Sequence, residues 1–75
     1  MAKKIKVYRN TQERSQNLKS RGYINWRGTT GPNAKERAHK LGEQEVAKGT
    51  KVVILWDLMF GNYGPASYIV MVNTN

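Results

Sequence analysis

The chain has no cysteine among its 75 residues. That excludes a disulfide staple, a thiolate nucleophile and a thiolate metal site, and it fits a cytoplasmic setting. Histidine is almost as scarce, with His39 the sole copy. A Ser-His-acid arrangement would have to recruit Ser15, Ser20 or Ser67, and none of them sits in a supporting motif. The acidic residues are Glu13, Glu36, Glu43, Glu45 and Asp57. No two have the logic of paired catalytic carboxylates or of a metal site, because Glu43 and Glu45 point to different sides of a helix. Long apolar runs are missing too. The longest, Val52 to Trp56, stops at Asp57 and is too short to span a bilayer. Lys6, Arg9 and Arg14 break up the region where a signal-peptide core would lie. These absences predict a non-enzyme with no cofactor, no metal and no membrane partner.

What the chain does have is positive charge, placed unevenly. Residues 1–40 carry eleven of the thirteen Lys and Arg residues against Glu13 and Glu36, a net of +9. Residues 41–75 carry Lys48 and Lys51 against three carboxylates, a net of −1. Like charges crowded on a small domain repel, so such clustering marks a surface meant for an anion. The length predicts one small basic domain spanning residues 1–75, with a thin core that buries roughly 60% of the unfolded surface.

Apolar periodicity then predicts the elements. Lys4-Ile5-Lys6-Val7-Tyr8 alternates strictly, as a half-buried strand does. Arg9 to Gly22 offers Leu18 as its only large apolar side chain and reads as a long loop, or at most a loosely attached helical turn. Tyr23 to Arg27 alternates again. Ala34 to Lys48 reads as a helix with Asn33 as N-cap, Glu36 as the capping-box carboxylate and Gly49 as the stop. Glu45 falls inside its small apolar stripe, so either the helix frays by then or the carboxylate reaches a basic partner at the rim. Lys51 to Phe60 is apolar on both faces, the mark of an interior strand. A turn over 61–65 and a strand from Ser67 to Val72 complete a hairpin. The expectation is an α+β two-layer sandwich of order β-β-α-β-β, with a single helix packed on a four-stranded sheet.

Two surfaces follow from that arrangement. With Ile5, Val7, Ile24 and Trp26 facing the helix, the opposite sheet face would show Lys4, Lys6, Tyr8, Tyr23, Asn25 and Arg27, flanked by Arg9. Cations with aromatics between them suit a nucleic acid, the charges tracking phosphates and the rings stacking on bases. Arg14, Lys19 and Arg21 of the long loop would close over it. The bland alternative is a solvated face whose tyrosines serve strand propensity and cross-strand packing. The second surface is apolar. Val53, Leu55 and Met59 occupy the face that one helix cannot cover, and Tyr63 stands at the hairpin tip. Such a patch suits a protein partner, or a second copy of the chain in a homodimer.

The predicted function is therefore nucleic-acid binding, to DNA or RNA, through the basic face and loop. The alternative is a small inhibitor or adaptor that docks its basic face on an acidic protein surface of a nucleic-acid-processing machine. In size, charge and lack of cysteine the chain is similar in type to short proteins encoded by viruses and mobile elements, a resemblance that rests on no particular residues.

Overall fold

A computed structural model describes residues 5–74, so Lys4 lies outside the described residues. The chain runs β1 (Lys6–Arg9), α1 (Gln12–Ser20), β2 (Ile24–Thr29), α2 (Ala34–Ala47), β3 (Lys51–Leu58) and β4 (Ala66–Asn73). The architecture is α+β with one four-stranded mixed sheet and two helices. The β-β-α-β-β order and the single helix are thus corrected to β-α-β-α-β-β, because residues 12–20 form a second helix.

That helix is built from caps rather than from an apolar stripe. The Thr11 hydroxyl accepts the Arg14 backbone N–H at 3.1 Å, which satisfies one of the first-turn donors. Glu13 in the first turn and Lys19 in the last both complement the helix dipole. At the other end, Gly22 has φ +100°, a conformation that glycine adopts without penalty. Its N–H reaches the Lys19 carbonyl while Tyr23 N–H reaches Leu18, the two bonds of a Schellman motif. The apolar contact that accompanies this motif is Leu18 against Tyr23, and both side chains are buried.

The strand order is β1-β3-β4-β2. β1 pairs parallel with β3, while β4 runs antiparallel to both β3 and β2. The doubly apolar strand β3 is therefore interior, as its sequence predicts. β2 and β3 are parallel but not neighbours, because β4 lies between them. From β1 to β2 the chain crosses the sheet from edge to edge, and from β2 to β3 it comes back. Two crossovers of the same hand, run in opposite directions, put their helices on opposite faces.

The two packed clusters have that arrangement. On one face, Ala38 of α2 packs among Ile5, Ile54, Val70 and Val72, with Val7, Trp26, Leu41 and Tyr68 at the margin. Gly42 belongs to this contact: a Cβ there would lie 2.9 Å from Ile5 Cδ1 and 3.2 Å from Val52 Cγ1. Small helix residues opposite branched strand residues allow the close approach. On the other face, Leu18 and Tyr23 cover Val53, Leu55 and Met71. Val53 and Leu55 are therefore buried within the chain, and the expected bare apolar face is corrected. The motive for a homodimer through those residues goes with it.

Smaller expectations fare unevenly. Glu45 does find its partner, Lys48 Nζ at 2.9 Å. Asn33 stands at the N-cap position of α2 but is left-handed (φ 58°) and makes no side-chain cap bond. The buried Thr29 hydroxyl donates to the Ala34 carbonyl at 2.8 Å, which ties the end of β2 to the first turn of α2 without capping an N–H. Phe60 lies beyond the end of β3 and is exposed, so it contributes nothing to the helix-facing core.

Candidate nucleic-acid interface

The cations expected on one sheet face are divided between two edges. β1 and β2 are the outer strands, so three strand spacings, about 14 Å, separate them. Lys6 pairs with Val53 and Tyr8 with Leu55, which places both on the α1 side. Arg9 pairs with Trp56 and falls on the α2 side. In β2 a bulge intervenes. Asn25 pairs with Met71 but Arg27 pairs with Val70, leaving Trp26 as the extra residue. An inserted residue reverses the alternation beyond it. Arg27 therefore joins Val70 on the α2 side, whereas Asn25 stays with Met71 on the α1 side.

Tyr23 is 9% exposed and held in the α1 cluster, so its role is packing rather than base stacking. Tyr8 is partly exposed, but Arg14 lies over its ring, with the guanidinium carbon 5.0 Å from the centroid. Two further arginines repeat this motif, Arg9 on Trp56 and Arg27 on Trp26, each at 5.1 Å. A guanidinium held over a ring is restrained, and the N–H groups it does not use within the chain stay at its edge for another acceptor.

Two basic grooves result. The first lies between α1 and the β1 edge, has a volume of about 470 Å³, and is lined by Tyr8, Arg14, Asn17 and Arg21, with Glu13 at its wall. The second lies between β2 and α2, has a volume of about 620 Å³, and gathers Arg27, Arg37 and Lys40 around Gly28, Thr29 and Leu41. Among the described residues no carboxylate lines it. Arg37 also donates to the Thr30 carbonyl, which ties its side chain to the turn after β2. Among the described residues only Lys48 has a carboxylate partner within ion-pair distance, so no described carboxylate neutralises the groove cations at that range.

The sequence-predicted residues thus fall into separate places. Tyr8, Arg14 and Arg21 share the first groove and Arg27 contributes to the second, while Lys6, on the α1 side of β1, and Arg9, on its α2 side, line neither. Lys19 lines neither groove and stands in the last turn of α1. Asn25 sits on the far edge from Lys6 and Tyr8. Of the predicted protein-contact residues, Met59 and Tyr63 are exposed and Val53 and Leu55 are not. Arg37 and Lys40 were missed, although they lie three residues apart on one flank of a helix. That spacing was the available signal.

The chain matches no protein-family model, no curated protein and no solved structure. No helix of the described residues is long and apolar enough to cross a membrane, and no cluster of metal-ligating side chains occurs among them.

Proposed function

We propose that this protein is a non-enzymatic nucleic-acid-binding module. The observation that carries the reading is the groove between β2 and α2, where Arg27, Arg37 and Lys40 converge without a carboxylate. A fixed cluster of cations facing solvent costs stability by self-repulsion, and a phosphate backbone relieves that cost on binding. Arg9 and Arg14, each laid on an aromatic ring, extend the positive surface at the opposite edge.

The test is salt-dependent binding to mixed-sequence oligonucleotides. If about five phosphates are neutralised, log K falls against log salt with a slope near −4.5 on a duplex and near −3.5 on a single strand. Absence of binding to DNA or RNA at about 50 mM salt overturns the reading and favours an acidic protein surface as the partner.

A further inference from the structure

The β3–β4 connection presents aromatic surface where a small, very basic protein would be expected to present polar surface. Met59, Phe60 and Tyr63 are 52%, 60% and 68% exposed. The Phe60 and Tyr63 rings lie with centroids 5.4 Å apart and planes inclined by 30°. This tip is braced. Met59 N–H bonds to the Pro65 carbonyl, Phe60 N–H to Tyr63, and Gly61 N–H to Leu58, all at 3.0–3.1 Å. Gly64 has φ +96°, and the Phe60 ring occupies the space that a Cβ there would need. The Phe60 ring is thus seated against Gly64 with Tyr63 beside it, and both stay largely exposed at the hydration cost that apolar surface carries.

Cations adjoin the tip. Arg9 Nη2 lies 3.5 Å from the Gly61 carbonyl, and Arg14 Nη1 donates to the Arg9 carbonyl at 2.7 Å. One connected series thus runs from α1 through β1 to the aromatic turn. Rings set beside guanidinium groups match an unpaired nucleotide strand, whose bases show open π-faces while its phosphates follow the charge. In a duplex those faces are already stacked on their neighbours. We propose that the tip is a base-stacking platform, with Phe60 and Tyr63 each taking a base and Arg9 and Arg14 taking the adjoining phosphates. The ligand class is then single-stranded nucleic acid, an inference that rests on the nucleic-acid reading above.

Fluorescence anisotropy with a labelled mixed-sequence 15-mer and its duplex tests this. The parent protein should prefer the single strand. Phe60→Ala and Tyr63→Ala should each weaken single-strand binding by about 5- to 150-fold, leaving duplex binding and the salt slope unchanged. Phe60→Leu, which keeps the apolar bulk, should behave like Phe60→Ala, and Phe60→Trp should restore binding. Unfolding curves that match the parent's would show that the variants fold. If the alanine variants bind the single strand as the parent does, the platform is overturned while the nucleic-acid reading stands. If the parent binds neither form, both fall.

Discussion

At the residue scale, structural and binding roles fall on different side chains, and substitutions should separate them. Arg27→Ala, Arg37→Ala and Lys40→Ala alter exposed groove cations, so each should change unfolding free energy by no more than about 0.5 kcal/mol. Each should also weaken nucleic-acid binding alike for all sequences and reduce the salt slope by about one unit, as titrations at several salt concentrations would measure. Tyr23→Ala should do the reverse. Removing a buried ring costs about 3–5 kcal/mol, against a total that scales to roughly 4–11 kcal/mol for this length. Urea denaturation would show that loss, and weaker binding by that variant would report unfolding rather than a lost contact. Tyr23 could not be placed from strand alternation alone, because its burial comes from the apolar contact that closes the helix before it.

At the element scale, legibility followed the size of the apolar signal. β3, β4 and α2 carry strong patterns and were placed to within two residues. α1 has one large buried side chain, Leu18, so periodicity could not find it. Its signal lay in punctuation instead: Thr11 before the first turn, Glu13 inside it, Lys19 in the last turn and Gly22 after it. The bulge at Trp26 was equally silent, since an inserted residue shows itself only in the pairing, and it moved Arg27 to the other face. Two substitutions probe these elements. Gly22→Ala puts a Cβ at φ +100° and should destabilise the fold by about 1 kcal/mol or more. Gly42→Leu forces bulk against Ile5 and Val52 and should cost about 1–3 kcal/mol despite the better helix propensity of leucine. Thermal melts with helix-sensitive circular dichroism would read both.

For the whole molecule, a formal net charge of +8 on principal extents of 34 × 27 × 17 Å makes salt act in opposite directions on folding and on binding. Screening reduces repulsion within the folded chain, as the Debye length shrinks from about 30 Å at 0.01 M to about 10 Å at 0.1 M. Adding salt to the bare protein should therefore raise its Tm. A gain of about 0.5 kcal/mol corresponds to a rise of about 2–4 °C at this size. The same salt weakens phosphate contacts. A Tm that falls or stays flat with added salt would show that the cations are already compensated within the fold.

The strand order also determines how the chain reaches this state. Among the described strand pairs, only the central one, β3 with β4, is joined by a short turn. The edge pairings join residues as far apart as Lys6 and Val53, or Ile24 and Val72, and each must close a loop of several dozen residues before any contact rewards it. Hairpin formation should therefore precede docking of the edges, with both crossovers completed late. Val70→Ala, within the hairpin, should slow refolding, whereas Leu18→Ala should chiefly speed unfolding. Until β1 and β2 arrive, both flanks of an apolar hairpin stand open to pairing with other chains, so refolding yield should fall as protein concentration rises.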